Sequence, residues 1–378
     1  MKLFERRKKD SGSPVLQTAA RQLYTPGNAL SGLQSGTQNN ELYRSLRDSV
    51  PVIDAALDKL VRLIGSFTVV SGDKRLTDEM NMFLRNVQSG GQHSGIHSFL
   101  SVYMNELLTY GTAVGEIVLT GDCRDIYSLV NVPLKNVTLR LDENMIDTLV
   151  CPPGFSGSSE PFRYQQLLLA SALNPEPGSV YGTSALHGLP FVSDILLKIY
   201  NTIGVNWERV GNVRFAVTYK PTSDSDRAMS RTRAQQIADE WSKAMRDKTT
   251  VSDFVSVGDV SIKVIGADNQ ILDSEVPVRE MLEQIVAKLS VPPFLLGLTW
   301  STTERMSSQQ ADILTSELEY YRRILDGVID RIIRTWQQLR GISRPFEIRW
   351  ENINLQDELD LAKARLYNAQ AQALEEKH

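Results

Sequence analysis

The longest run of regular hydrophobic spacing in this chain lies between Leu314 and Trp336. Leu314, Leu318, Tyr321, Leu325, Val328, Ile332 and Trp336 step by four, three, four, three, four and four residues, the interval at which one face of an α-helix returns. At a rise of 1.5 Å per residue that stripe alone predicts a helix of roughly 33 Å, which needs a neighbour along its length. The helical pattern extends from about Ser308 to Arg340. Just upstream, Val291-Pro292-Pro293 stops whatever helix precedes it, because proline lacks the N–H and disfavours helix in the residue before it. Gly297 and a run of small hydroxyl residues then read as loop. The helix so stopped is "SEVPVREMLEQIVAKLS", with Val278, Leu282, Ile285 and Leu289 on one stripe. Two strong helices thus flank a polar loop that carries one Trp and one Arg.

Residues 1–41 are rich in Gly, Ser, Thr, Asn and Gln and show little periodicity, which predicts a flexible N-terminal arm. Beyond Leu42 the order of elements is legible. "SVPVIDAALDKLVRLIGSF" is a helix, "TVVSG" a short strand and "DEMNMFLRNV" a short helix. "HSFLSVYMNELLTYG" is an amphipathic helix stopped by Gly111. "TAVGEIVLTGDCRDIYSLVNVPLKNVTLRLD" reads as strands parted by turns, and "FRYQQLLLASA" as strand or helix. A long helix follows "YGTSALHGL". The strand "VRFAVTYKP", the helix "SDRAMSRTRAQQIADEWSKAMRD" and the strands of "SDFVSVGDVSIKVIG" then form a small α/β module over 213–268, inserted between two helices. "FEIRWENI" is a strand, and an Ala-rich helix closes the chain.

Composition sets limits on function. The 378 residues are 42% hydrophobic and 23% charged, with net charge -4, so a sizeable core is expected and a global basic field for free nucleic-acid binding is not. Two cysteines, Cys123 and Cys151, make a disulfide framework improbable. The basic start "MKLFERRKKD" is followed by "SGSP" rather than an apolar run, so no secretory signal is expected there. No segment reaches the ~20 apolar residues of a membrane span. A soluble protein without membrane association is expected.

The chain lacks the phosphate-binding GxxxxGK[ST] loop, HExxH, GxSxG and paired CxxC motifs. No enzymatic activity, catalytic residue or cofactor is expected. His93 and His97 stand at metal-ligand spacing but flank Gly95 and lack a third ligand, so no metal is expected. In the inserted module Lys220, Arg227, Arg231, Arg233, Lys243, Arg246 and Lys248 outnumber five acidic neighbours. They read either as a solvated face or as a docking face for a partner or phosphates. The stripes carrying Leu282, Ile285, Leu289, Tyr321, Leu325 and Val328 exceed what two helices need for each other, which predicts subunit packing.

The ordered set of "YGTSALHGL" opening a long helix, the insertion ending in "DVSIKVIG", "REMLEQIVAKLSVPPFLLGL", and "SSQQADILTSELEYY" leading to "FEIRWENI" resembles the portal proteins of tailed bacteriophages, over roughly residues 42–370. The resemblance implies an α+β, portal-like fold: a mostly helical wing and stem, a small α/β clip insertion and a long wing helix. It places the wing at 42–183, stem helices at 184–212 and 269–291, and the clip at 213–268. A tunnel loop falls at 292–307, the long wing helix at 308–345, and a minimal crown of strand and helix at 346–378. It further implies a dodecameric ring at one capsid vertex of the virion, assembled in the host bacterial cytoplasm, through which double-stranded DNA is packaged and ejected without sequence specificity. The implied partners are a terminase motor, the major capsid and scaffold proteins, and a head-tail adaptor. Thr299, Trp300, Ser301, Thr302, Thr303, Glu304 and Arg305 would face the DNA channel. There, weak exchangeable hydrogen bonds and an Arg offset by a Glu would touch passing phosphates without holding them. Trp300 has two readings, a channel contact or packing back near Met306. The alternatives are a helical adaptor or scaffold protein with no DNA channel, and a DNA-processing enzyme.

Overall fold

A computed structural model of the chain describes residues 37–91, 93–144, 146–153, 160–211, 214–220, 259–265, 274–298 and 304–353, with 232, 235, 236 and 239. Its contacts divide the chain into two units, Met1–Ser193 with Leu282–His378, and Asp194–Met281.

The first unit is built around helix α4 (Ile96–Tyr110) and a four-stranded sheet. That sheet runs β2 (Gln88–Ser89), β4 (Ile126–Val132), β3 (Thr112–Leu119), β7 (Leu168–Ala172). β3 is antiparallel to both of its neighbours, and β2 is parallel to β4. Every residue of β3 from Thr112 to Val118 is buried, the polar Thr112 and Glu116 included, so this strand is covered on both faces rather than on alternate residues only. One cover is α4, whose Phe99, Tyr103 and Leu107 are buried. On β3 and its neighbours, Val114, Val132, Val137, Leu139, Val150 and Leu168 form a second cluster. It reaches the hairpin of β5 (Thr138–Leu141) and β6 (Thr148–Cys151).

Helices α1 (Thr37–Ser49) and α2 (Pro51–Leu63) pack on each other and on α4. α1 lies partly inside the stretch expected to be an arm. Its sequence "TQNNELYRSLRDS" offers only Tyr43 and Leu46 as an apolar face, too short a pattern to stand out, yet both are buried. Tertiary contact stabilises a helix that local pattern does not announce. Arg47 then ties the corner, donating from Nε to Asp54 Oδ1 at 2.8 Å and from Nη1 to Thr109 Oγ1 at 2.8 Å.

β1 (Phe67–Ser71) pairs with β10 (Phe346–Trp350), some 280 residues later, in an antiparallel ladder from Phe67↔Trp350 to Ser71↔Phe346. Helix α3 (Lys74–Asn86) packs beside β1. Its Asn81 side chain donates to the Val69 carbonyl at 2.7 Å and accepts from the Val69 N–H at 3.0 Å.

The second unit holds most of helix α5 (Leu189–Gly211), the antiparallel pair β8 (Arg214–Lys220) and β9 (Asp259–Ile265), and the first turns of helix α6 (Glu275–Leu289). The helical residues 232, 235, 236 and 239 lie between the two strands in sequence. Most of the helix expected between them lies outside the described residues. The rest of α6 and helix α7 (Glu304–Leu339) belong to the first unit.

Candidate functional site

Where α6 ends, Ser290 takes a left-handed conformation with φ 53°, and the two prolines follow. Val291 and Pro293 are buried, and Pro293–Leu296 form a single 3-10 turn that packs near α2. Gly297, at φ 74°, closes the turn by donating its N–H to Phe294 O at 3.2 Å. A residue with a Cβ rarely adopts that angle. The expected loop of 292–307 therefore begins as an anchored turn and ends early, because α7 starts at Glu304 rather than Ser308. Ser, Thr and Glu are favoured in the first turn of a helix, so a hydroxyl-rich stretch that reads as loop can be the start of one. Glu304 and Arg305 lie on that first turn. Thr299, Trp300, Ser301, Thr302 and Thr303 lie outside the described residues.

α7 is held along its length. Ala311, Leu314, Leu318, Tyr321, Leu325, Val328, Ile332 and Trp336 are all buried, so the whole stripe read from the sequence faces the chain's own interior. Arg322, also buried, donates from Nε to the Ile64 carbonyl at 2.9 Å and lies 5.0 Å from the centre of the Trp350 ring. Burial lowers its pKa from the usual value, and the carboxylates of Glu319, Asp326 and Glu351 oppose that shift. The Trp350 indole N–H donates to Asp326 Oδ1 at 2.8 Å. Arg331 reaches the backbone carbonyl of Gln165 just before β7. α7 is thereby fastened to α2, to β10 and to the segment leading into β7.

The residues expected to pack subunits are for the most part already covered within a single chain. Ile285, Leu289, Tyr321, Leu325 and Val328 are between 0% and 8% exposed within a single chain, and Leu282 is half-buried. The cover of α7 within the chain includes β7, the Phe83 ring of α3 against Trp336, and the Ile64 carbonyl that follows α2. The large apolar residues left exposed include Leu197, Tyr200 and Trp207 on α5, which periodicity on α6 and α7 gave no reason to choose.

Of the expected docking residues, Lys220 is the last residue of β8. Arg227, Arg231, Arg233, Lys243, Arg246 and Lys248 lie outside the described residues. His97 stands on the first turn of α4 with its ring 5.3 Å from that of Phe67. Burial lowers its pKa, against an opposing pull from Glu351. Among the described residues no three of His, Cys, Asp and Glu group as metal ligands, and no helix is long and apolar enough to cross a membrane.

No protein-family model and no curated protein matches this sequence. Solved structures do match its fold. A chain in the virion of a native gene transfer agent particle superposes with TM-score 0.62 at 12% identity, over 96% of this chain and 92% of that one. A chain in the neck of an empty gene transfer agent particle, computed with C6 symmetry, gives 0.60 at 12% identity over 95% and 91%. An HK97-family phage portal protein from Corynebacterium diphtheriae covers 82% of this chain and 95% of its own, with TM-score 0.42 and 12% identity. The first two matches show that this chain shares its fold with chains of gene transfer agent particles.

Proposed function

We propose that this chain is a portal-type connector subunit: one member of a closed ring at a capsid vertex, through which double-stranded DNA enters during packaging and leaves at ejection. The observation that carries the proposal is the shared fold with gene transfer agent virion and neck chains, spanning nearly the whole of both partners. In this reading α5 and α6 are the stem helices, the module between them is the clip, and α7 is the wing helix.

The stretch from Thr299 to Arg305 is the channel-facing segment. Its support is its position in the sequence between the anchored turn Pro293–Leu296 and α7, whose apolar stripe is buried. Such a segment contacts phosphate weakly; each added cation would strengthen binding, and a ring multiplies that by its copy number. Arg231, Arg233 and Arg246 of the clip form the face that meets a terminase motor and then a head-tail adaptor. The chain carries no catalysis of its own.

Negative-stain images of the purified protein test the ring, with closed particles and an axial opening expected. A strictly monomeric chain at micromolar concentration and moderate salt refutes it. Trp300→Ala and Arg305→Glu are expected to leave ring melting unchanged and to alter packaged DNA length. Charge reversal at Arg231, Arg233 and Arg246 is expected to leave rings intact and impair packaging or tail joining.

A further inference from the structure

Arg323 and Arg331 stand eight residues apart on α7, about 12 Å along its axis, on the face opposite the buried Leu325, Val328 and Ile332. Arg163 lies beside them, on the segment leading into β7 whose carbonyls Arg331 holds. All three are exposed, and among the described residues none forms an ion pair with a carboxylate. Arg334 is the fourth arginine here and is taken by Asp330 Oδ2 at 2.6 Å. Glu319, one turn before Arg323, is the other carboxylate on this face, so the arginines are in excess.

The unpaired guanidinium groups are held in place all the same. Arg323 lies 5.9 Å from the centre of the Tyr320 ring, and Arg163 lies 5.2 Å from that of Tyr164. Arg331 donates from Nε to the Gln166 carbonyl at 3.3 Å and from Nη2 to the Gln165 carbonyl at 3.1 Å. The N–H groups of its Nη1 make no hydrogen bond among the described residues. A side chain that is already ordered loses little freedom when it takes an anion.

Midway between Arg323 and Arg331 stands Gly327, also exposed. Glycine inside a helix is less favourable than alanine. A Cβ at Gly327 would meet nothing within 4 Å, so no described neighbour requires the glycine. The helix therefore carries a gap at its surface with a cation on each side.

We infer that this face of α7 is a docking site for an acidic polypeptide segment, whose backbone lies over Gly327 and whose carboxylates are taken by Arg323, Arg331 and Arg163. Charge selects an anionic partner, and the planar guanidinium fork matches a carboxylate. The gap selects a polypeptide. A DNA duplex is met at the ends of long arginine side chains and needs no glycine between them, whereas a backbone that comes close to a helix does. The inference does not depend on the ring reading.

The test uses the full chain and a labelled glutamate-rich peptide, with the glutamine-rich equivalent and a labelled DNA duplex as comparisons. Fluorescence anisotropy is expected to show binding of the acidic peptide alone, weakening as salt rises. Arg323→Glu with Arg331→Glu should weaken it roughly tenfold or more. Gly327→Leu keeps every charge and should weaken it to a similar degree. Melting and light scattering should be unchanged in both variants, since all three positions are exposed. No binding of the acidic peptide overturns the inference, and so does a Gly327→Leu chain that binds as the natural one does. Tighter binding of the duplex through the same arginines assigns the face to nucleic acid instead. A changed assembly state in the variants assigns it to contact between copies.

Discussion

The Gly111 carbonyl oxygen stands where a side chain on Gly182 would begin. A Cβ on Gly182 would collide with it, and one on Gly111 would fall 2.6 Å from the Gly182 carbonyl oxygen and 2.5 Å from the Thr183 carbonyl carbon. The same place is knit by hydrogen bonds from Leu173 N to Gly111 O and from Thr183 N to Leu173 O, both 2.7 Å, and from Gly182 N to Thr112 Oγ1 at 3.0 Å. The C-terminal cap of α4, the end of β7 and the approach to α5 therefore meet at two glycines. Gly182→Ala is expected to destabilise by at least the 1–3 kcal/mol typical of overpacking. Gly204→Ala, in open space on a helix, should stabilise the dissociated chain by about 1 kcal/mol. Chemical denaturation of both variants checks the contrast; equal effects would contradict the close approach.

Glu106 on α4 gives a pH dependence. Burial pushes its carboxyl up to about 7, and its Oε2 is buried with no hydrogen-bond partner among the described residues. A raised carboxyl holds its proton more tightly folded than unfolded. Its stabilising contribution is therefore complete at low pH and is lost as pH rises from about 4.5 to about 7, at up to roughly 1.4 kcal/mol per pH unit. Glu106→Gln should remove that decline, raising the melting temperature at pH 8 and changing it little at pH 4.5. A variant that tracks the natural protein at every pH would place the titration elsewhere.

Arg322 and Trp350 should act as a unit. Arg322→Met leaves the Ile64 carbonyl without its buried donor, at a cost of about 1–3 kcal/mol. Trp350→Phe removes the N–H that Asp326 accepts, with a loss of similar size. Because the guanidinium also rests over the indole, the double variant should lose less than the sum of the singles. Simple additivity in urea unfolding would argue against the coupling.

Leu325→Ala separates core from interface. The residue is 1% exposed inside one chain, so its truncation should cost about 2–5 kcal/mol. The folded fraction should still assemble at the natural concentration. Selective loss of assembly with unchanged melting would restore Leu325 to the subunit contact.

The sequence by itself determined the elements whose pattern is long or sharply punctuated. The stripe from Leu314 to Trp336, the Gly111 stop and the proline break after α6 each act through local physics: helical periodicity, a left-handed cap, a missing N–H. Tertiary structure decided the rest. α1 has two apolar anchors and exists because α2 and α4 cover them. β1 and β10 are mutual partners although most of the chain separates them, and nothing in "FTVVS" or "FEIRW" names the other. Which apolar residues are spare is likewise a tertiary fact. Periodicity shows that Leu325 and Tyr200 both lie on apolar faces, but only the packing of every element at once leaves the first buried and the second open.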